Sequence, residues 1–266
     1  MPPRFYIDRP LHAGDAFALP AGPARHVQVV RLQPGDLLTL FDGSGGEWSA
    51  AVERIGRSEV TVAVGARTEP DRELPWPVTL AVGMPANERM DTLIEKATEL
   101  GVFAVQPLMC ERSVLRLDVP RAIKKVLHWQ AVAVAACEQS GRTRVPAIDL
   151  VCTLGEFLRR RPVDAAARWV LSLQADARAV ATLAPPTGGV VCLSGPEGGL
   201  APAEEAAARE AGFTPVSLGP RVLRADTAPL ALLAHLALLG QLALLGHLAV
   251  QASAAPAALR PTGANP

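Results

Sequence analysis

The chain of 266 residues carries 26 lysines and arginines against 26 aspartates and glutamates, which excludes a global basic field as the mark of a nucleic-acid binder. That length holds one large domain or two modest ones, each with its own core. Cys110, Cys137, Cys152 and Cys192 are widely spaced, with no Cys-x-x-Cys pair and no histidine at ligand spacing. They read as reduced, mostly buried thiols of a cytoplasmic protein and not as a metal site. The opening residues lack the apolar core of a secretory signal, in agreement.

Residues 1 to about 70 read as a small β-rich unit. Runs at 4–7, 37–41, 48–54 and 60–64 have strand length and are separated by Pro34-Gly35-Asp36, by residues 42–46 and by Gly56, which predicts a barrel or rolled sheet. Residues 24–32 carry Arg25, His26 and Arg31 on one or two helical turns, either as an ordinary surface helix or as a basic contact face. Residues 1–35 hold four arginines against two aspartates, and residues 86–161 hold twelve basic against nine acidic side chains, a balance that solvated surface also produces. Pro70, Pro75 and Pro77 mark the connection at 68–77, with the linker proper at 73–77.

From residue 78 strands and helices alternate. A strand at 78–82 precedes a helix at 87–100 whose Met90, Leu93, Ile94, Ala97 and Leu100 recur at helical spacing, ended by Gly101. A strand at 104–108 leads through Glu111-Arg112-Ser113 to a long helix at 120–139, predicted to turn Ile123, Val126, Leu127, Ala131, Val134 and Ala135 inward. A strand at 169–173 and a short helix at 176–183 follow.

The most informative stretch is 189–228. Residues 190–193 are a fully apolar run, as in a strand buried on both faces of a parallel sheet. A turn with Gly195, Pro196, Gly198 and Gly199 follows, then a helix opened by Pro202, Glu204 and Glu205 and closed by Gly212. A second strand at 214–218 ends in a loop from Gly219 to Thr227 that holds Arg221, Arg224 and Asp226. Two neighbouring strands are thus predicted to deliver two glycine loops to the carboxyl edge of one sheet, where open α/β folds bind ligands. No Lys-Ser or Lys-Thr follows the first glycines, and Gly-x-x-Gly-Gly departs from the dinucleotide fingerprint.

Between Thr227 and Leu259 there is no charged residue, and Leu-Ala-Leu-Leu-Gly occurs twice. By length and hydropathy the segment can span a bilayer. His235, Gly240, Gln241, Gly246 and His247 within it, and the lack of a basic cluster beside it, favour a buried or oligomer-interface helix. Residues 251–266 read as a frayed tail.

Residues 193–199, Leu-Ser-Gly-Pro-Glu-Gly-Gly, with 218–228, Leu-Gly-Pro-Arg-Val-Leu-Arg-Ala-Asp-Thr-Ala, resemble the cofactor loops of SPOUT methyltransferases. More closely they resemble the ribosomal RNA small subunit methyltransferase E family, which methylates N3 of a uridine in 16S rRNA. Glu-Lys-Ala-Thr-Glu-Leu-Gly at 95–101, Glu-Arg-Ser at 111–113 and Glu-Gln-Ser-Gly-Arg-x-x-x-Pro at 138–146 match its motifs, as do Arg-His-Val-Gln-Val-Val-Arg-Leu at 25–32 and the Pro-Gly-Asp and Phe-Asp-Gly turns. The resemblance spans residues 4 to about 246. It implies an α/β fold: a SPOUT-type, trefoil-knotted parallel-sheet domain at 78–250, preceded by a small PUA-like β-barrel RNA-binding domain at 1–72.

It further implies S-adenosylmethionine (SAM) as methyl donor, no metal, and a homodimer acting on 16S rRNA, within the small ribosomal subunit, with no membrane partner. The cofactor-binding set on this reading is Leu171, Leu193, Gly195, Pro196, Glu197, Gly198, Gly199, Leu218, Gly219, Val222, Leu223 and Arg224. Arg4, Arg25, His26, Arg31, Arg112 and Arg142 are the RNA-binding candidates, since arginine pairs with phosphate and stacks on bases. Uridine N3 must lose a proton before it attacks, so a cation should hold the developing imide anion and a carboxylate accept the proton. Arg224 is the first choice for the cation and Arg221 the second; Asp226 or Glu197 is the base. Family members carry glutamate where Asp226 stands, and capping of the last helix is its structural alternative. A non-catalytic RNA-binding or assembly factor, a SPOUT enzyme acting at another RNA site, and a membrane-anchored protein are the competing readings.

Overall fold

The computed structural model describes residues 2–57, 59–86, 88–160 and 165–254. Asn87, the side chain of His247 and residues 255–266, all of which figure in the sequence expectations, lie outside the described residues. The first unit runs β1 (Arg4–Tyr6), β2 (Ala16–Ala18), α1 (Ala21–Val29), β3 (Leu37–Phe41), β4 (Glu47–Ile55) and β5 (Val60–Thr68). The sheet order is β1-β3-β4-β5-β2, with β1 parallel to β3 and the other pairs antiparallel. Alternation sets its inner face: Trp48, Ala50 and Val52 of β4 and Val60, Val62 and Val64 of β5 are buried with Phe5, Leu38, Leu40 and Val27 of α1. α1 begins three residues before the expected 24 and ends at Val29, and Arg31 adopts a left-handed φ of 59°. β2 is a three-residue edge strand, too short to leave a periodic signal.

The second unit continues with β6 (Val78–Gly83), α2 (Glu88–Glu99), β7 (Ala104–Met109), α3 (Val119–Ser140), β8 (Ala147–Ile148), β9 (Cys152–Thr153), α4 (Leu154–Arg160), β10 (Ala165–Leu171), β11 (Arg178–Ala179), β12 (Gly189–Ser194), α5 (Pro202–Glu210), β13 (Thr214–Ser217) and α6 (Thr227–Ala254). The strands order as β11-β13-β10-β12-β6-β7-β8, with β9 also on β7, and all pairs are parallel. The apolar runs of β6 and β12 are buried on both faces. Val78, Leu80, Val82, Val190 and Cys192 meet α2, α3 and α6, whereas Ala81, Val191 and Leu193 join Phe157 of α4 and Ala208 of α5. Leu232, Leu233 and Leu236 of α6 are fully buried in the first of these clusters. Among the described residues no helix is long and apolar enough to cross a membrane.

Three expectations are corrected. The strands bearing the two glycine loops are not neighbours, because β10 lies between β12 and β13. The helix expected at 176–183 is an edge strand, β11, and a single 3-10 turn at Val180–Thr182. α3 is rotated from its predicted phase: Val126, Trp129, Ala133, Ala136 and Cys137 face inward, while Ile123, Leu127, Ala131 and Ala135 are exposed. Apolar residues occur all round that helix, so periodicity left the phase open, and the Trp129 indole, donating to Asp91 Oδ1 at 2.9 Å, fixes it. Residues 73–77, the expected linker, pack against the second unit, with Trp76 in its core and Leu74 against it.

The last turn of α3 and the stretch after it join the two units. The Tyr6 amide donates to Glu138 Oε1 at 2.9 Å, Arg4 and Arg72 donate to the Gly141 carbonyl at 3.1 and 2.6 Å, and Gly45 and Thr143 exchange hydrogen bonds at 3.1 and 3.2 Å. Arg4 and Arg72 also pair with Glu47. Burial pushes the Glu47 carboxyl up, but Arg72 and Arg4 together outweigh it and hold it below its ordinary range.

Candidate active site

The carboxyl ends of β12, β10 and β13 surround a cavity of about 520 Å³. Its first wall is the turn 194–200. The Gly199 amide donates to the Pro196 carbonyl at 2.8 Å, closing it, and α5 starts just beyond, with the Ala201 amide bonded to Glu204 Oε2 at 2.9 Å. Pro196 presses on the end of β6: a Cβ at Gly83 would lie 2.5 Å from the Pro196 nitrogen, so only glycine fits there. Glu197 Oε1 accepts the Ala86 amide at 2.9 Å and stands 3.5 Å from Arg89 Nη1. Arg112 Nη1 donates to the Gly198 carbonyl at 3.1 Å and to the Leu200 carbonyl at 3.5 Å, bracing the turn from outside.

The second wall follows β13 through Leu218, Gly219, Arg221, Val222, Leu223 and Arg224. The Arg224 carbonyl accepts the amides of Thr227 and Ala228 at 3.0 and 2.9 Å, so this loop runs directly into α6. Arg221 and Arg224 are exposed, and neither has an ion-pair partner among the described residues.

The third wall, missed in the sequence, is the loop after β10. Ser172 Oγ donates to Glu205 Oε1 at 2.7 Å and accepts the Gln174 amide at 3.1 Å. Arg209 reaches from the same helix to Glu205 at 3.0 Å and to Asp176 at 2.6 Å, holding the Asp176 carboxyl below its ordinary range. Ser172, Leu173, Gln174, Glu205 and Arg89 all line the cavity. The apolar end of the strand before Ser172 was the available signal for this loop. Glu205 carried none, because its partner lies 33 residues away.

Leu171, Gly195, Pro196, Glu197, Gly198, Gly199, Leu218, Gly219, Arg221, Val222, Leu223, Arg224 and Arg112 are therefore brought together. Leu193 is fully buried in the sheet behind, and Asp226 lies outside the cavity, its Oδ1 accepting the Thr227 amide at 3.1 Å where α6 begins. Of the other expected RNA contacts, Arg25, His26 and Arg31 are exposed in and after α1. Arg4 and Arg142 are not exposed: Arg4 belongs to the junction, and Arg142, 4 % exposed, pairs with Glu73 and donates to the Thr98 carbonyl at 3.0 Å. All four cysteines are buried, and burial pushes the Cys110 and Cys192 thiols up to about 12, which disfavours a thiolate nucleophile.

The lining fits an adenosyl sulfonium ligand. Leu171, Val216, Leu218 and Ala228 offer apolar surface for an adenine, the three loops offer backbone polar groups, and the volume suits a ligand of that size. A parallel α/β sheet with three loops gathered at its carboxyl edge, joined to a small mixed-sheet unit, has the form of an open α/β ligand-binding enzyme, and two family models give its class as an RNA methyltransferase. Residues 72–237 match the family model described as RNA methyltransferase domain, and residues 24–65 match RNA methyltransferase PUA domain.

The chain belongs to the ribosomal RNA small subunit methyltransferase E family. It is 36% identical to the Mycobacterium tuberculosis member over 86% of this chain and 88% of that protein. It is 30% identical to the Bacillus subtilis member over 87% and 94%. The crystal structure of the Neisseria gonorrhoeae member bound to S-adenosyl methionine superposes with a TM-score of 0.84 at 35% identity, covering 90% of this chain and 98% of that one.

Proposed function

We propose that the chain transfers a methyl group from SAM to N3 of a uridine in 16S rRNA, as a cytoplasmic homodimer acting on the small ribosomal subunit. The observation that carries this reading is the pair of arginines, Arg221 and Arg224, that have no ion-pair partner among the described residues and line the same cavity as the two glycine turns. The three loops hold the donor, with Ser172, Gln174 and Glu205 added to the set inferred from sequence. SAM supplies a methyl group on a sulfonium sulfur, open to in-line attack. What remains for the chain is to align the acceptor, exclude water and manage one proton. Arg224 places a guanidinium where the uracil imide becomes negative, and Arg221 flanks it. Glu197 lines the cavity and Asp226 does not, which favours Glu197 as the acceptor of the N3 proton and leaves Asp226 at the start of α6.

On this reading an RNA-binding domain at 1–72 precedes a methyltransferase domain at 78–250 whose glycine loops are knotted as in SPOUT enzymes. Arg25, His26 and Arg31 belong to the RNA face of the first domain. Leu238 and Leu242 of α6, 62% and 64% exposed and one turn apart, offer an apolar stripe for the partner subunit. The test is Arg224→Ala. Methyl transfer is expected to fall by at least about 100-fold in kcat, the scale of losing one charge-stabilising donor, while SAM affinity and the unfolding midpoint stay at wild-type values. Near-normal turnover would remove Arg224 from the mechanism.

A further inference from the structure

A second feature lies outside the cofactor cavity. Arg121, Lys124, Lys125 and His128 recur at the i, i+3, i+4, i+7 spacing of one helical face, at the start of α3. With Leu117 they line a hollow of about 380 Å³. This arrangement opposes the stability of its own helix. Cations one turn apart repel, and Arg121, in the first turn, faces the positive end of the helix dipole. Lys124 and Lys125 have no ion-pair partner among the described residues. Asp118 is taken up in capping the helix, accepting the Arg121 amide at 3.0 Å, and its carboxylate approaches the Arg121 guanidinium only to 3.7 Å in an exposed position. Asp91, on α2, is shared by His128 Nε2 and Trp129 Nε1, both at 2.9 Å. Residues 111–128 hold five lysines and arginines against Glu111 and Asp118 in a chain of zero net charge.

The geometry points to a binding face for RNA backbone phosphates on α3, formed by Arg121, Lys124, Lys125 and His128, that holds the substrate strand flanking the methylated nucleotide. The inference rests on the methyl-transfer reading for its choice of RNA over other polyanions. Continuity supports it: Arg112 lines the cofactor cavity and Leu117 lines the hollow, and the five residue steps from one to the other span at most about 18 Å. Phosphate contacts of this kind position a strand without reading its sequence. The face lies in the second domain, so RNA held by the first domain and RNA entering the cavity gain a separate point of attachment.

The experiment compares the wild-type chain with Lys124→Ala/Lys125→Ala and with the charge-preserving Lys124→Arg/Lys125→Arg. Binding to purified 16S rRNA is measured at several KCl concentrations, alongside methyl-transfer kinetics and SAM affinity. The alanine pair is expected to weaken RNA binding and raise the RNA KM about tenfold. It should also flatten the slope of log K against log salt by about 1.5, the value for two lost phosphate contacts. Its SAM affinity and kcat should be unchanged, and the arginine pair should behave as wild type. A wild-type slope and KM in the alanine pair overturn the inference. So does a loss of RNA binding that tracks a change of oligomeric state in sedimentation, which would assign the face, with exposed Ile123 and Leu127 beside it, to a contact between copies. Failure of the wild-type chain to transfer methyl would count against the methyl-transfer reading alone, because the salt slope still reports on the face.

Discussion

Gly195 has no room for a side chain. A Cβ there would lie 2.7 Å from the Leu200 nitrogen and 2.8 Å from the Gly199 carbonyl carbon, backbone atoms on the far side of the same turn. Gly195→Ala therefore has to open the first glycine loop. SAM affinity is expected to fall at least about tenfold in calorimetry, with a loss of about 1–3 kcal/mol in urea unfolding, the usual range for overpacking. Wild-type affinity would show that the donor does not depend on that turn. This turn was legible in the sequence because its chemistry is local: glycines, a proline and an apolar strand within ten residues. Leu193, at the end of the same strand, turns its side chain away from the cavity into the core. The local reading missed the Ser172 to Glu205 contact, made between residues that only the folded sheet brings together.

Among the elements, α3 departed furthest from expectation, and its last turn carries a further prediction. The motif at 138–146 lies at the junction of the two units. Burial pushes the Glu138 carboxyl up from its ordinary range, against the Tyr6 amide and the charges of His26 and Arg4. A carboxyl raised in the folded state holds its proton more tightly there than in the unfolded chain. Stability is then lost as pH rises from the unfolded value of about 4.3 through the folded one. Glu138→Gln keeps an oxygen to accept the Tyr6 amide and removes the buried charge. Urea unfolding should find the variant more stable than wild type near pH 8 and equal to it near pH 4. A variant less stable at pH 8 would mean that the carboxylate charge itself holds the junction. Helix existence was legible here from the apolar residues recurring after Pro120, and the Asp118 and Gly141 caps bound it in the structure. Helix phase was not, because the tryptophan that sets it is fixed by Asp91 on another helix.

At the scale of the whole molecule, the sequence carried the two-unit division and the alternation of strand and helix but not the order of the strands. β10 enters between β12 and β13, and that single crossing turns two glycine loops into a three-walled site. Spacing along the chain does not encode such an order. The molecule joins this cavity to two outlying basic regions, one on α1 and one on α3, as an enzyme that must hold a long polyanion while acting on one of its bases. The most direct measurement is transfer of labelled methyl from SAM to small ribosomal subunits purified from cells lacking this gene, followed by mapping of the modified base. Label is predicted at one position of 16S rRNA, as 3-methyluridine. Absence of label, or label on another base or another atom of uridine, would contradict it.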